Sequence, residues 1–513
     1  MNESFRKLLE LEAEKTGNNS SKLSSIWREI CEGEEIDCFE NIATLSRIKE
    51  LMLFGFSSLI CRENPSHNHS IIENEFLCQD KSTDLGKLDV KFDCVNWPLK
   101  GEVLKTLIKG FGGEVNHMLR YLLMPIAIAN PSPTFCKSGG TCLVGNQHLA
   151  QKVGVLKENL LFKLEGENRI SGSYKDRVTA TAISAVEDLI HWNSLPKALQ
   201  NTNSRDIIRI GCASTGNLAI ATLEHAKRCG FKAQVFVPDN LGEEKYSEMR
   251  DALLLDNGAP NGEIIRAGNF DEINIMLSQL YDSYPWLLTA NINLRPRYKT
   301  GAKTLLYEIA EQMNWDLPPV INVVMALAGG TSSSSVVEAF DELKDLDLIN
   351  KNVQLKLWLV QPEGCDTVAS SAINKDFKPK FVKNPMSIAD SLLIGYPGDA
   401  EVPLKFAIEN GGGGCLLNDR EIEEGTNEFN NCNVSIRKTE HAGGLEWGGA
   451  KKLILSGEIP RKETTIVVIT GSERCKSLDS SYTELAFGEY KIKGIQDYKD
   501  LMEKLKSDFY ATH

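Results

Sequence analysis

The segment between residues 206 and 237 constrains the fold of this chain most. Residues 206–213 are rich in isoleucine and predict a short buried strand, residues 218–229 predict a helix that stops at Gly230, and residues 232–237 predict a second strand. A strand, a helix and a strand in this order form a βαβ unit, in which the two strands run parallel. The sequence therefore predicts an α/β fold built on parallel sheet.

The loop between that first strand and its helix has the sequence Ser214-Thr215-Gly216-Asn217. Open α/β sheets bind ligands at the carboxyl ends of their strands. Backbone N–H groups at a helix N-terminus also suit an anion such as a substrate carboxylate. Helix capping explains a serine or threonine there equally well, so the loop by itself leaves both interpretations open.

A second strand, loop and helix follow further along the chain. Residues 320–327 form a continuous apolar strand, and residues 336–343 predict a helix. The loop between them contains glycines and hydroxyl side chains, which favour a cup for a phosphate group; its residues include Gly329, Gly330, Thr331, Ser332 and Ser333. A flexible Gly/Ser connection is the alternative. The loop has neither the P-loop pattern nor the dinucleotide-binding pattern.

Two further features complete the set of candidate site residues. A late strand at residues 464–469 delivers Thr470 and a glycine at its end, where a hydroxyl could face a ring nitrogen or simply form a turn. Lys175 lies in the first turn of an amphipathic helix for which Ser173 is a natural N-cap. Most lysines in such a position are solvated surface residues, but a buried lysine amine forms Schiff bases with aldehydes.

The composition narrows the class of protein. The chain has 513 residues, a formal net charge of −13 and thirteen cysteines without a Cys-x-x-Cys pair. The negative charge argues against nucleic acid or an anionic membrane as partner. Widely spaced cysteines and a strongly charged first segment favour reduced thiols in a cytoplasmic protein, and no metal site is indicated. Four consecutive glycines, residues 411–414, are interpreted as a flexible turn.

The order of these motifs resembles that of the fold-type II pyridoxal-phosphate enzymes, and within them threonine synthases most closely. The matching stretches, spread between residues 139 and 476, are Ser171-Gly172-Ser173-Tyr174-Lys175-Asp176-Arg177, Cys212-Ala213-Ser214-Thr215-Gly216-Asn217, the Gly/Ser loop at 329–333, Asn293-Leu294-Arg295-Pro296-Arg297-Tyr298, Ser387-Ile388-Ala389-Asp390-Ser391, Thr439-Glu440-His441-Ala442-Gly443-Gly444 and Thr470-Gly471.

This resemblance implies a role for each candidate residue. Lys175 would hold pyridoxal 5'-phosphate as a Schiff base and then move protons during the reaction. Asn217 would hydrogen bond to the ring hydroxyl oxygen of the cofactor, the 329–333 loop would hold its phosphate, and Thr470 would face the pyridine nitrogen. The substrate carboxylate would lie on Ser214, Thr215 and Gly216. The second anion of a substrate such as O-phosphohomoserine would need a cationic pocket, for which Arg295 and Arg297 are candidates; a salt bridge explains these two arginines about as well.

The same resemblance implies two lobes around a cleft and, by analogy, a homodimer. We expect an N-terminal extension over residues 1–130, largely helical and including stretches at 4–15 and 42–52. A first catalytic lobe would cover 131–300, a second lobe would cover 301–478, and a helical tail would cover 479–513.

The substrate is less constrained than the cofactor. Leu218 stands where the family has a small or hydroxylic residue, and Tyr396 and the residues after Gly471 also depart from the family pattern. Three hypotheses therefore stay open: a threonine synthase-like lyase, an enzyme that eliminates or replaces another leaving group, such as a dehydratase, and a descendant that binds the cofactor without turnover.

Overall fold

The structure is a computed structural model. It describes residues 88–110, 117–192, 204–239, 241–268, 296–473 and 489–493, with shorter stretches between 46 and 69, between 272 and 289, and between 496 and 504. The predicted helix at 4–15 lies outside the described residues. Within the predicted helix at 42–52, the described residues 46, 49, 50 and 52 are helical.

The strands form three sheets. In chain order they are β1 (Ser57–Cys61), β2 (Asn68–His69), β3 (Leu88–Phe92), β4 (Leu143–Gly145), β5 (Leu160–Leu164), β6 (Arg209–Ala213), β7 (Lys232–Val237), β8 (Gly262–Ala267), β9 (Leu287–Thr289), β10 (Val320–Ala326), β11 (Gln354–Pro362), β12 (Gly413–Leu417), β13 (Thr464–Ile469) and β14 (Glu489–Ile492).

The largest sheet has the strand order β12-β11-β10-β13-β5-β4, and all its neighbouring strands are parallel except the β4–β5 pair. The second sheet, β14-β8-β7-β6-β9, is parallel throughout. A small antiparallel sheet has the order β2-β1-β3. Strands that are buried on both faces read as continuous apolar runs, and β10 and β13 have this character.

Helices cover these sheets. They are α1 (Gly101–Gly110), α2 (Pro133–Lys137), α3 (Gln147–Val153), α4 (Lys175–His191), α5 (Ser204–Ile207), α6 (Asn217–Arg228), α7 (Glu243–Leu253), α8 (Pro296–Lys299), α9 (Thr304–Gln312), α10 (Thr331–Asp345), α11 (Ala369–Asn374), α12 (Glu401–Glu409), α13 (Asp419–Asn431) and α14 (His441–Ser456). One continuous cluster of buried apolar residues contains side chains from both large sheets and from α4, so the two sheets share a core.

The predicted α/β class with parallel-rich sheets is confirmed, and the βαβ unit is present as β6, α6 and β7. Three local predictions were wrong, namely the start of the strand at 206, the amphipathic character of α4 and the glycine turn at 411–414. Residues 206 and 207, the start of the strand predicted at 206–213, belong instead to the short helix α5. Helix α4 is not amphipathic but buried on all sides, and its buried residues include Thr179, Ser184 and Asp188, because it packs against α6, α8 and α2.

Of the glycines at 411–414, predicted to form a flexible turn, only Gly411 lies in a turn, with φ +74°. Gly413 and Gly414 belong to β12. A Cβ atom on Gly412 would lie 2.1 Å from the carbonyl oxygen of Leu357, and one on Gly414 would lie 2.0 Å from that of Ala369. These positions are glycine because neighbouring backbone approaches too closely for any side chain.

Sheet membership does not follow the order of the predicted chain segments. Strand β5, from the predicted first lobe, pairs with β13 of the predicted second lobe, and β4 joins the same sheet at its edge by pairing with β5. Strand β14, within the predicted helical tail, pairs with β8. The domain boundaries at 130, 300 and 478 stay a prediction.

Candidate functional site

Three loops meet at one edge of the large sheet. Strands β5, β13 and β10 are neighbours and run parallel, so their carboxyl ends lie at the same edge. The loop after β5 leads to Lys175, the loop after β13 begins with Thr470, and the loop after β10 contains Gly329 and Gly330. Sheet topology therefore brings together three of the four motifs found in the sequence.

The loop before Lys175 is tied to the loop after β13. The backbone N–H of Tyr174 donates to the carbonyl oxygen of Thr470 at 2.9 Å, and the N–H of Ser472 donates to the carbonyl oxygen of Gly172 at 3.1 Å. Ser173 forms an isolated antiparallel bridge with Gly471. These bonds fix the position of the lysine relative to Thr470.

The lysine opens helix α4, one residue later than a Ser173 cap implies. Tyr174 occupies the N-cap position, although the Ser173 hydroxyl still accepts the N–H of Lys175 at 3.3 Å. Asp176 accepts the backbone N–H groups of Ile170 and Ser171 at 3.0 Å, and its other partner is the ring of His225 at 3.0 Å. The aspartate of the Lys-Asp-Arg triplet thus holds the loop in place.

The Lys175 amine is electrostatically unusual. Burial lowers its pKa from 10.5 to about 8, and the carboxylate of Glu440 opposes that shift. The amine also lies 5.5 Å from the centroid of the Tyr174 ring. A lysine whose pKa is close to neutrality has a substantial fraction of neutral amine, which is the form that attacks a carbonyl.

A buried ion cluster supports the first turns of α4. It consists of Arg177, Glu165, Glu308 and Lys163, and each of these side chains is at most 2% exposed. Arg177 donates to Glu165 at 2.8 Å and to Glu308 at 3.2 Å. Although burial opposes ionisation, Arg177 and Lys163 hold the pKa values of both carboxyls below the ordinary value. The arginine of the Lys-Asp-Arg triplet is therefore structural.

Asn217 reaches the site from the second sheet. Its side-chain amide donates to Glu440 at 2.7 Å. A Cβ atom on Gly471 would lie 2.2 Å from the Glu440 carboxylate and 3.1 Å from the Asn217 amide nitrogen. Glu440 and Asn217 thus pack so closely against Gly471 that only glycine fits at this position.

The loop after β10, which is predicted to hold a phosphate, packs closely against the backbone of Asp399. Gly330 has φ +94°, and a Cβ atom there would lie 2.4 Å from the carbonyl oxygen of Asp399. The Ser334 hydroxyl donates to that same carbonyl at 2.8 Å. Ser333 is fully buried, and its hydroxyl has no hydrogen-bond partner within the described part of the chain. Such an unpartnered buried hydroxyl costs free energy, and a bound phosphate would satisfy it.

The Ser214–Gly216 loop lies beside a cation that sequence reasoning missed. Lys245 on α7 is 3.8 Å from the position of a Cβ atom on Gly216. It forms an ion pair with Asp390 at 2.5 Å, and its side chain is 29% exposed. Asp390 belongs to a stretch that carried the family resemblance, but nothing in the sequence pairs it with Lys245.

Of the two arginines predicted to bind substrate, the structure describes only Arg297. Arg295 lies outside the described residues. Arg297 is fully buried, forms an ion pair with Asp188 and donates to the carbonyl oxygen of Ala127 at 2.9 Å. Asp188 is thirteen residues beyond Lys175 on α4, a distance of about 20 Å along a helix. Arg297 therefore stabilises the packing of α8 on α4 and is remote from the lysine.

Sequence reasoning also missed two carboxylates. Glu440 precedes α14 within a motif that was recognised without a role, and its carboxylate contacts Asn217 and acts on the Lys175 amine. Glu446 is fully buried on α14 and accepts the backbone N–H of Thr470 at 2.9 Å. The signal for Glu446 was an acidic residue within the small and apolar run from 442 to 450.

Among the described residues, no group of three or more histidine, cysteine, aspartate or glutamate side chains is arranged to hold a metal ion. Within the same residues, no helix combines the length and the apolar character needed to cross a bilayer.

Comparison with known protein families matches residues 138–471 to the family described as pyridoxal-phosphate dependent enzyme. This match spans the loops after β5, β6 and β10 and ends just after β13. The chain belongs to this pyridoxal-phosphate-dependent enzyme family. Pyridoxal 5'-phosphate is the family's cofactor, and the fold is that of the fold-type II pyridoxal-phosphate enzymes.

Curated relatives indicate which enzymes of this family the chain is similar to. Threonine synthase of Methanocaldococcus jannaschii is 28% identical over 69% of this chain and 79% of its own length. Threonine synthase of Methanosarcina acetivorans is 28% identical over 75% of this chain and 85% of its own. Among solved structures, the processed form of threonine deaminase isoform 2 from Solanum lycopersicum has a TM-score of 0.51 and 19% identity, covering 71% of this chain and 87% of that one. This structural likeness shows the fold.

The residues at the strand ends fit pyridoxal phosphate. The cofactor needs an amine for its aldehyde, donors for its phosphate and a partner for its ring nitrogen. Lys175 offers the amine, the buried hydroxyl of Ser333 and the start of α10 offer phosphate donors, and Thr470 offers a hydroxyl. The hydroxyl of Tyr174, next to Lys175, is also buried without a partner within the described chain.

Proposed function

We propose that this protein is a threonine synthase-like lyase that removes phosphate from O-phosphohomoserine and adds water at the β-carbon to give L-threonine. The observation that carries the proposal is the Lys175 amine, with its pKa near 8, held beside the converging loops of a family whose curated relatives include threonine synthases. Its reaction class is elimination at the γ-carbon of an amino acid followed by addition at the β-carbon.

Pyridoxal phosphate, when bound, withdraws electrons from the substrate Cα and so makes its proton removable. Lys175 would accept and donate that proton, because its pKa lies close to the working pH. Asn217 would orient the cofactor ring from the second sheet, and the loop from Gly329 to Ser333 would hold the cofactor phosphate at the N-terminus of α10. Thr470 would contact the pyridine nitrogen.

The substrate carboxylate would lie on the loop of Ser214, Thr215 and Gly216. All three residues are partly exposed, and the loop is followed by the N-terminus of α6, where backbone N–H groups favour an anion. These features support an anion site at this loop.

Lys245 is our candidate for the substrate phosphate, in place of Arg297. Its amine is adjacent to the Ser214–Gly216 loop and partly exposed. A phosphate dianion would compete with Asp390 for this amine, since charge-assisted hydrogen bonds to phosphate are strong. Arg295 stays a prediction, because it lies outside the described residues.

An enzyme that acts on another leaving group is the second candidate. The pairing of Lys245 with Asp390 favours it, since the cation near the substrate loop is already neutralised. Leu218, at the second position of α6, also replaces the hydroxyl or small side chain of the family pattern. Such a dehydratase or replacement enzyme would turn over unphosphorylated hydroxy- or acyl-amino acids without need of Lys245.

A substrate panel tests the two candidates. The purified protein with pyridoxal phosphate is offered O-phosphohomoserine, serine, threonine, O-acetylserine and homoserine, and released phosphate, keto acid and threonine are measured. We expect phosphate and threonine in equal amounts from O-phosphohomoserine alone. Keto acid from serine or threonine without phosphate release would favour the second candidate, and no product from any compound would contradict both.

A matched pair of lysine variants tests the pocket. Lys245→Met should raise the KM for O-phosphohomoserine at least tenfold, on the order of the 1.4 kcal/mol that one charged hydrogen bond contributes. Lys351→Met is the control, because Lys351 also forms an ion pair with an aspartate, Asp347, but is 70% exposed. An unchanged KM in Lys245→Met would exclude the lysine from the substrate pocket.

A further inference from the structure

Glu446 is a buried carboxyl at the cofactor edge of the large sheet that no step of the proposed reaction uses. It lies on α14 and is fully buried. Its carboxylate accepts the backbone N–H of Thr470 at 2.9 Å and the backbone N–H of Ala326 at 3.3 Å. Thr470 follows β13, and Ala326 ends β10 just before the glycine-rich loop. One side chain thus joins the two strand ends that carry the proposed ring and phosphate contacts.

Glu446 is not neutralised by a cation. In the described part of the chain it forms no ion pair, and the groups that face it are the N–H groups of Thr470 and Ala326, the Thr470 hydroxyl and, from the start of α14, the carboxylate of Glu440. Burial and the like charge of Glu440 oppose ionisation, whereas the three donors favour it. The pKa of Glu446 rises from 4.5 to about 8, so both protonation states are accessible near neutral pH.

The hydroxyl of Thr470 connects this carboxyl to the ring site. It lies near enough to the Glu446 carboxyl to favour the ionised form of that carboxyl, and a hydroxyl has one proton to donate and lone pairs to accept. If the hydroxyl donates to an ionised Glu446, its lone pair faces the ring nitrogen and matches a protonated ring. If a protonated Glu446 donates to the hydroxyl, the hydroxyl proton turns to the ring and matches an unprotonated nitrogen.

We propose that Glu446 is a positioning residue that directs the proton of the Thr470 hydroxyl and thereby sets whether the site accommodates pyridoxal phosphate with a protonated or an unprotonated ring nitrogen. The inference rests on the proposed placement of Thr470 at the pyridine nitrogen. One proton is shared along this line: the carboxyl loses the proton that the ring nitrogen gains. The protonated ring withdraws electrons more strongly, so Glu446 would tune the reactivity of a site whose ring contact is a neutral hydroxyl.

The test observes the ring nitrogen directly and uses no substrate. The protein is reconstituted with pyridoxal phosphate labelled with ¹⁵N in the ring, and the ¹⁵N resonance is recorded at pH 9, where Glu446 of the wild type is mostly ionised, for wild type, Glu446→Gln, Thr470→Val and the double variant. We expect Glu446→Gln to move the resonance toward that of an unprotonated pyridine, because the amide donates to the Thr470 hydroxyl. In the Thr470→Val background the same substitution should have no effect.

Each other outcome overturns the inference. An unchanged resonance in Glu446→Gln would make Glu446 a packing residue only, and an equal change with and without the Thr470 hydroxyl would show that it does not act through that group. An unchanged resonance in Thr470→Val would remove the proposed ring contact itself. If Glu446→Gln does not fold, Glu446→Asp and a wild-type titration between pH 6 and 9 make the same distinction. Failure to turn over O-phosphohomoserine would change none of these readings.

Discussion

Replacing Glu308 by glutamine should destabilise the protein severely. The Glu308 carboxylate accepts the backbone N–H groups of Gly140 and Thr141 at 2.9 Å each, and it pairs with Arg177 and Lys163. The buried cluster holds two cations and two carboxylates, so Glu308→Gln leaves one positive charge uncompensated. Removing one partner from a buried ion pair costs about 3–5 kcal/mol, and we expect a loss in this range.

A second substitution should restore part of that loss. Lys163→Met together with Glu308→Gln removes one charge of each sign and leaves the pair of Arg177 and Glu165, whose contacts are 2.8 Å. The free energy of unfolding of the double variant should therefore fall by less than the sum of the two single-variant losses, and the difference should be at least about 1 kcal/mol. Glu409→Gln is the control, because Glu409 forms an exposed pair with Lys405 at 3.9 Å, and its loss should stay below about 0.5 kcal/mol.

Urea denaturation of the cofactor-free variants, followed by circular dichroism, measures these losses. The pH dependence of the free energy of unfolding gives a further check. The pKa values of Glu165 and Glu308 are lowered in the folded protein, so their contribution is present above the unfolded pKa of about 4.3 and is lost as the pH falls through the folded values. The difference between wild type and Glu308→Gln should therefore narrow below about pH 4. A loss under about 1 kcal/mol for Glu308→Gln, or strict additivity in the double variant, would refute the role of charge balance.

Three further predictions concern the loops at the strand ends. Covalent attachment of pyridoxal phosphate, trapped with borohydride and mapped by mass spectrometry, should occur at Lys175 and be absent in Lys175→Ala. The initial rate of attachment should rise about tenfold from pH 7 to 9 and then level off, because the pKa of Lys175 is about 8. A lysine with an ordinary pKa would give a rise of about a hundredfold over the same range. Gly330→Ala should lower the free energy of unfolding by about 1–3 kcal/mol and weaken cofactor binding, because its Cβ atom would meet the Asp399 backbone at 2.4 Å. Gly457→Ala is the control, because Gly457 also has a positive φ, of +85°, but its Cβ atom would meet no atom within 4 Å. An equal loss in Gly457→Ala would attribute the effect to backbone strain alone. Gly471→Ala should weaken cofactor binding measured by fluorescence titration, since its Cβ atom would lie 2.2 Å from Glu440, and unchanged affinity would show that the Asn217–Glu440 contact is dispensable.

Local sequence patterns predicted the elements that are apolar and short. The bounds of β7 and β13 follow directly from apolar runs that end at a proline or at Thr470, and the loops after such strands lie where parallel sheets bind ligands. The family motifs then placed Lys175, Asn217 and Thr470 in one site before any distance was known. These predictions depend on residues that are close together in the chain.

The rest depends on contacts between distant segments. Nothing near Arg297 in the sequence indicates that Asp188, 109 positions away, is its partner. The sequence therefore did not predict the burial of Arg297, and binding of a substrate anion was as well supported as a salt bridge. The same holds for Lys245 with Asp390 and for Glu446 with Thr470. The predicted amphipathic face of α4 was wrong for a related reason, because tertiary packing covers its polar side as well.

The pairing of early with late strands has a consequence for how this protein is made. Strand β5 obtains its partner β13 only after about 300 further residues, and β8 obtains β14 after more than 200. A ribosome therefore releases most of the chain before either large sheet can be completed. Contacts of such long range slow folding and leave strand edges exposed meanwhile, so we expect the nascent chain to depend on chaperones and its yield to improve when translation is slowed or temperature lowered.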